Sequence, residues 1–97
     1  MNTYILLVNF TQQGIQTIKD SPKRLEATKK AIEAAGGAYK GWYLTFGQYD
    51  AVFICEAPND EAVARLLLAT AGLGNVRTQT LRAFNEQEYR DIIASLP

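Results

Sequence analysis

The chain opens with an almost unbroken apolar run from Tyr4 to Phe10. A run of this length without polar alternation is typical of a strand that is covered on both faces. We therefore expect this segment to be a central strand. In a strand, alternate residues point to opposite faces. One face of the run carries Leu6, Val8 and Phe10, and the other face carries Ile5 and Leu7.

A helix is predicted after a loop at Thr11–Gly14 and a short helical turn at Ile15–Asp20. Ser21 followed by Pro22 favours a helix start, because the hydroxyl can accept an unpaired backbone N–H and proline is preset for the first helical position. Gly36-Gly37 favours the helix end. The inward stripe is predicted to consist of Leu25, Thr28, Ile32 and Ala35.

A hairpin follows, with strands at Ala38–Phe46 and Tyr49–Ala57 joined by Gly47-Gln48. A two-residue loop that begins with glycine fits a type II′ turn. The turn predicts four facing pairs, which are Phe46 with Tyr49, Thr45 with Asp50, Leu44 with Ala51, and Trp42 with Phe53. One predicted face carries Trp42, Leu44, Phe46, Tyr49, Ala51, Phe53 and Cys55. The other carries Tyr39, Gly41, Tyr43, Thr45, Asp50, Val52, Ile54 and Glu56.

The rest of the chain predicts a helix, a strand and a final helix. Asn59 is the expected cap of the first, which ends at Gly72-Leu73-Gly74. The strand, Val76–Phe84, is polar enough to be an edge strand. Asn85 and Glu88 form a predicted capping box for the last helix. The inward stripes of the two helices are Val63, Leu66, Leu67 and Thr70, and then Tyr89, Ile92, Ile93 and Leu96.

This order of elements predicts an α+β fold of the ferredoxin-like βαββαβ type with an added C-terminal helix. Right-handed crossovers place both main helices on one face of a four-stranded antiparallel sheet. The length of 97 residues leaves room for one domain, residues 1–97.

The second face of the predicted sheet is also rich in apolar residues. Exposing it would forfeit about 25 cal/mol for each Å² of apolar surface and leave a larger patch than monomers usually carry. A final helix of about 11 residues is too narrow to cover four strands. We therefore predict a homodimer joined through the sheets, and higher oligomers remain open.

Composition and charge limit the chemistry. Ten Lys and Arg balance ten Asp and Glu, so we expect neither nucleic acid nor a membrane as a partner. The chain shows no signal-peptide pattern and no spanning run, and we expect a cytoplasmic protein. Without histidine and with one cysteine, no metal site and no cofactor are expected, and haem would lack a histidine ligand.

Asp50 is the candidate for a catalytic residue, because aspartate is unfavourable in strands. In the structural interpretation, which we favour, its carboxylate accepts backbone N–H groups or pairs with an arginine. In the functional interpretation, it acts as a general base or ligand anchor in a cleft. Glu56 lies about 20 Å along the same strand, too far for paired acid–base work within one subunit.

The remaining candidates are ligand-binding residues, and each also has a structural interpretation. The aromatic residues on the strands are usual core residues, and an arginine on an edge strand is usually solvated or ion-paired. The two arginines lie on opposite faces of their strand, so one at most points into a given pocket. The full set of ligand-binding candidates is Tyr43, Thr45, Tyr49, Asp50, Arg77 and Arg82.

Three stretches of sequence together resemble the GYD domain family. They are Gly47-Gln48-Tyr49-Asp50 at the hairpin, Glu56-Ala57-Pro58 after it, and the run Gly74–Phe84. The resemblance extends from the first strand to Phe84. It implies a dimeric α+β barrel, in agreement with the dimer predicted from the apolar faces, and it assigns no activity.

Three functions follow as alternatives. The first is a homodimeric small-molecule binding or sensing module, since dimers of this fold often hold ligands between subunits or between sheet and helices. The second is a cofactor-free enzyme, an isomerase or a small monooxygenase, by analogy of fold. The third is a structural or assembly role. We favour the first, because no nucleophile–base or acid–base constellation is visible.

Overall fold

A computed structural model describes residues 1–97 and has the predicted order of strands and main helices. Its elements are β1 (Asn2–Phe10), α1 (Gln12–Gln16), α2 (Ser21–Ala34), β2 (Ala38–Leu44), β3 (Ala51–Ala57), α3 (Asp60–Gly72), β4 (Val76–Ala83) and α4 (Glu86–Ala94), with a turn of 3₁₀ helix at Ile18–Asp20. The ferredoxin-like α+β fold is confirmed.

The four strands form one antiparallel sheet in the order β2-β3-β1-β4. β1 is central and β4 is an edge strand, both as predicted. The hairpin register is also confirmed, since Leu44 faces Ala51 and Trp42 faces Phe53.

One face of the sheet carries the core, and α2 and α3 pack on it. Ile32 of α2 and Val63 and Leu66 of α3 are buried against the strands. Each lies on the inward stripe that its helix predicts. The strand residues of this core are Tyr4, Leu6, Val8, Ala51, Phe53, Cys55 and Ala57.

The opposite face, here called the open face, has no helix on it. None of its apolar residues is buried, although the strand alternation places them side by side at its centre. These residues are Ile5, Leu7, Tyr43, Val52, Ile54 and Leu81. The open face is therefore apolar in the middle and uncovered, as the sequence predicts.

The C-terminal helix α4 does not bury the apolar residues of this face. Its apolar stripe (Tyr89, Ile92, Ile93 and Leu96) is 43–60% exposed, and the molecule extends over 52 × 31 × 18 Å. The radius of gyration is 14.6 Å, against about 12.5 Å for a compact chain of this length. α4 thus projects from the domain with its apolar side free, and the prediction that this stripe faces inward is wrong for the single chain.

Two predictions about the segment before and at the start of α2 are wrong. Thr11–Gly14 is not a loop throughout, because α1 begins at Gln12 with the Thr11 hydroxyl accepting from the Gly14 N–H at 3.1 Å. Ser21 is not the cap of α2. It is the first helical residue, and Asp20 occupies the cap position without a side-chain capping bond.

The hairpin also departs from its predicted faces. A register shift between Tyr39 and Gly41 turns Tyr39 to the core face, where its ring lies 5.6 Å from that of Phe53. The strands end at Leu44 and begin at Ala51, and Phe46 is fully exposed at the tip. Leu44 is also largely exposed, so the predicted apolar face is not buried at this end of the hairpin.

Candidate functional site

A small polar pocket lies at one end of the open face, beside the hairpin loop. Tyr49 reaches across the sheet, and its hydroxyl donates to Gln79 Oε1. Asn9 and Arg77 are partners in the β1–β4 register, and Arg77 forms none of the chain's ion pairs. The pocket has a volume of about 290 Å³ and is lined by Asn9, Gln48, Tyr49, Arg77, Thr78 and Gln79.

Two of the predicted ligand-binding residues, Tyr49 and Arg77, therefore meet in this pocket. Tyr49 lies toward the open face, whereas the turn predicts it on the same face as Phe53 and Cys55, which is the core face of the sheet. The reason is that residues 45–50 leave the strand ladder, which frees the Tyr49 side chain from strict alternation. The other candidates do not line this pocket.

Asp50 ties the loop to the central strand. Its Oδ2 accepts the Phe10 N–H at 2.9 Å, and its own N–H donates to the Val8 carbonyl at 2.8 Å. This arrangement matches the interpretation in which Asp50 accepts backbone N–H groups, and its carboxylate holds the loop against β1.

Thr45 closes the same loop. Its hydroxyl donates to the Tyr49 carbonyl at 2.6 Å, and its N–H donates to the Asp50 carbonyl at 2.9 Å. Tyr43 lies on β2, opposite Val52, and is largely exposed on the open face. Thr45 thus supports the loop, whereas Tyr43 is available at the surface.

Arg82 lies on the helix-side face, opposite Tyr4, and is thus on the other face of β4 from Arg77. Its guanidinium stacks 4.5 Å from the Phe84 ring centroid and 5.7 Å from that of Tyr4. The two arginines are separated as predicted, and Arg82 does not join the polar pocket.

The second carboxylate considered from the sequence, Glu56, pairs with Lys40 at 3.4 Å. Asp50 and Glu56 therefore have separate partners and do not form an acid–base pair within the chain. No group of three or more His, Cys, Asp or Glu side chains is placed to hold a metal ion.

A larger cavity, here called the interhelical cavity, lies between α2, α3 and the core face of the sheet. It has a volume of about 320 Å³. Its walls are mostly aliphatic and aromatic, including Trp42 and Phe53, and Arg24 is the one charged residue that lines it. This size and lining are typical of a small-molecule site.

Arg24 was not among the residues that the sequence points to. Its Nη1 donates to the carbonyl and hydroxyl of Thr17 at 3.0 and 3.1 Å, and its Nη2 donates to the Gly14 carbonyl at 3.3 Å. The sequence carries one signal for the cavity itself, which is the size of the side chains between the two helices. The facing sides of α2 and α3 carry small residues such as Ala31, Ala69 and Thr70, which leave space between the helices.

Two buried groups have shifted pKa values. Desolvation, with a smaller effect of the Glu56 charge, raises the pKa of the Cys55 thiol to about 11. Burial and the hydrogen bond from the Tyr4 hydroxyl to Asp60 Oδ1 raise the pKa of Tyr4. Cys55 is therefore a protonated core residue, in agreement with its place in the strand pattern.

Together, fold and site define a ferredoxin-like α+β domain with one open sheet face and an apolar cavity between its helices. The chain belongs to the GYD domain family, which matches residues 4–93. It is 34% identical, over 99% of both chains, to the glutamine synthetase and cystathionine beta-lyase binding protein of Thermus thermophilus.

Solved structures support the fold. The feast or famine regulatory protein of Mycobacterium tuberculosis, complexed with L-methionine, superposes with a TM-score of 0.66 at 19% identity over 88% of this chain. The leucine response regulatory protein of the same organism gives 0.64 at 21% identity over 87%. This chain spans about half of each regulator, 51%. A Thermus thermophilus protein of known structure matches at 0.55 and 24% identity, over 88% of this chain and 95% of that one.

None of the four helices is both long and apolar enough to cross a lipid bilayer.

Proposed function

We propose that this protein is a homodimeric binding module that associates with metabolic enzymes and holds a small molecule in each subunit. The observation that carries the proposal is the uncovered apolar surface of the open face and α4. The enzyme partners and the small molecule are argued from the relative and from the interhelical cavity.

The exposed area of a single chain supports the homodimer. The chain exposes 6491 Å², whereas a self-contained monomer of 10.8 kDa exposes about 5,500 Å². The excess of about 1,000 Å² compares with the about 800 Å² that each partner buries in a stable interface of standard size. A second copy would therefore restore an ordinary ratio of surface to mass.

The character of that surface points to a second copy of this chain as its cover. The open face has an apolar centre (Ile5, Leu7, Val52, Ile54), and the projecting helix α4 has an exposed apolar stripe. Two-fold pairing covers the same surface on both copies with no other partner. It also places α4 of each copy beside the partner's sheet.

The relative supports the enzyme partners. A protein that is 34% identical to this chain over almost its whole length is named for binding glutamine synthetase and cystathionine beta-lyase. The exposed hairpin tip around Leu44 and Phe46 lies away from the open face's centre and offers apolar contacts for such partners.

The small-molecule part of the proposal is supported by the interhelical cavity, whose volume of about 320 Å³ lies in the range of ligand sites. A catalytic role has less support. The Asp50 carboxylate accepts from the Phe10 N–H and the Glu56 carboxylate pairs with Lys40, so the two carboxylates do not form an acid–base pair with each other.

The partner claim can be tested by biolayer interferometry with purified glutamine synthetase and cystathionine beta-lyase, each from the same cells as this protein. We expect micromolar or tighter binding to at least one of them and none to an unrelated enzyme of similar size. Phe46→Ser is expected to weaken the binding, whereas Leu68→Ser, at another exposed apolar position on α3, is the matched control. Absence of binding to both enzymes would contradict the proposed partners.

A further inference from the structure

The interhelical cavity is apolar over most of its wall and has a defined polar end. Ser21 and Arg24 line this end, where β1 ends at Phe10 and α2 begins, and Asn75, just before β4, lies on the same side. A cavity of about 150 Å³ lined by aliphatic and aromatic side chains accommodates benzene. At about 320 Å³, this cavity has room for a substituted aromatic ring or a branched aliphatic chain together with a polar head group.

The charge at the polar end has no counter-charge. The guanidinium of Arg24 donates to the carbonyls of Thr17 and Gly14 and to the Thr17 hydroxyl, all of which are neutral acceptors. It forms no ion pair, and no Asp or Glu lines the cavity. A part-buried arginine without a carboxylate partner favours an anionic ligand, because guanidinium binds carboxylates with charge-assisted hydrogen bonds.

We propose that the cavity binds a small monocarboxylic acid with an aromatic or branched aliphatic body, its carboxylate on Arg24 and its body between α2 and α3. This inference rests on the small-molecule part of the proposed function and names the chemical class of that ligand.

The same lining selects against amino acids. The ammonium group of an amino acid would enter a cavity without any acidic side chain and would lose its hydration without an ion-pair partner. A carboxylic acid without an amino group, such as a 2-oxo acid, has no ammonium group to bury. The cavity is therefore expected to prefer an acid to the amino acid that shares its side chain.

The experiment compares three probes that share a phenyl ring: phenylacetate, benzyl alcohol and L-phenylalanine. Calorimetry measures binding to the full chain, and the fluorescence of Trp42, the chain's one tryptophan, reports on the cavity wall. We expect phenylacetate to bind about tenfold or more tightly than either of the others, as a charge-assisted bond to arginine requires. No binding of phenylacetate, or equal binding of L-phenylalanine, would overturn the proposal.

Two variants assign the binding to its parts. Arg24→Gln is expected to weaken phenylacetate binding about tenfold or more while leaving benzyl alcohol unchanged, which also shows that the cavity is still formed. Ala31→Phe, which fills the cavity from α2, is expected to weaken both. Arg65→Gln removes an exposed arginine from α3 and is the matched control. Unchanged phenylacetate binding in Arg24→Gln would overturn the role of Arg24.

The outcome can be separated from that of the proposed dimer and its enzyme partners. Light scattering and interferometry on the same preparation report those directly. A dimer that binds the enzymes but not phenylacetate contradicts this inference alone. A monomer that binds phenylacetate through Arg24 supports this inference and contradicts the dimer.

Discussion

At the scale of single residues, Asp50 shows how a side chain that draws attention in the sequence can serve the backbone. Its carboxylate accepts the Phe10 N–H at 2.9 Å and joins the hairpin loop to the end of β1. Removing the acceptor leaves a part-buried N–H without a partner.

Asp50→Ala is therefore expected to lower the free energy of unfolding by about 1–3 kcal/mol. Asp50→Asn should lower it less, because the amide oxygen can still accept from Phe10. Urea denaturation of the three proteins measures both changes. If Asp50→Ala unfolds like the wild type, the Phe10 N–H does not depend on Asp50 and the structural interpretation of this residue is wrong.

Cys55 gives a prediction about pH. Burial raises the pKa of its thiol from the ordinary 9.0 to about 11. Between these values the unfolded chain loses the proton while the folded chain keeps it, so the stability contributed by this thiol falls as the pH rises from about 9 to about 11.

Urea denaturation at pH 8 and at pH 10 measures this effect, with Cys55→Ala as the control that lacks the thiol. We expect the wild type to lose more stability than the control between the two pH values. Equal losses would show that the thiol does not titrate differently in the folded and unfolded chains.

The sequence predicts the position of Cys55 but does not single out Arg24. Cys55 could be placed on the same face as Phe53, which is buried, because strand alternation depends on local pattern alone. Arg24 could not be singled out, because its lack of a carboxylate partner depends on how α1 and α2 pack. Nothing in its sequence neighbourhood distinguishes it from the other basic residues of α2.

At the scale of elements, α3 depends on a cap that the sequence predicts and the structure confirms. Asn59 Oδ1 accepts the Ala62 N–H at 2.9 Å, and Ala62 is buried against the sheet. The cap therefore stabilises a helix that carries part of the core.

Asn59→Ala is expected to lower the free energy of unfolding by about 1 kcal/mol, because an N-cap acceptor is lost. Asn59→Asp, which keeps an acceptor at the cap, is the matched control and should remain close to the wild type. Thermal or urea denaturation measures both. A wild-type stability for Asn59→Ala would mean that water replaces the cap without loss.

The hairpin shows where prediction of elements stops. Its register follows from turn chemistry and is confirmed from Leu44 back to Trp42. It fails at Tyr39, because an irregularity near Gly41 shifts the pairing and turns Tyr39 to the core. Gly41 is a sequence signal for this irregularity, since glycine inside a strand often marks a bulge, but the pattern alone does not say to which face the shift turns Tyr39.

At the scale of the whole molecule, the account depends on how the open face is covered. Ile54 lies on this face, where it pairs with Ile5 of β1 and Gly41 of β2. A charge at this position would be buried in the proposed interface without a partner.

Ile54→Glu is therefore expected to convert the dimer into a monomer, as measured by sedimentation velocity. Leu68→Glu makes the same kind of change at an exposed position of α3, away from the open face, and should leave the dimer intact. A dimer that survives Ile54→Glu but not Leu68→Glu would place the interface on the helices.

The mass of the wild-type protein in solution tests the central claim most directly. Light scattering at micromolar concentration is predicted to give twice the chain mass of 10.8 kDa. A stable species of one chain mass at that concentration would show that the open face and the apolar stripe of α4 remain exposed to water. That result would contradict the account.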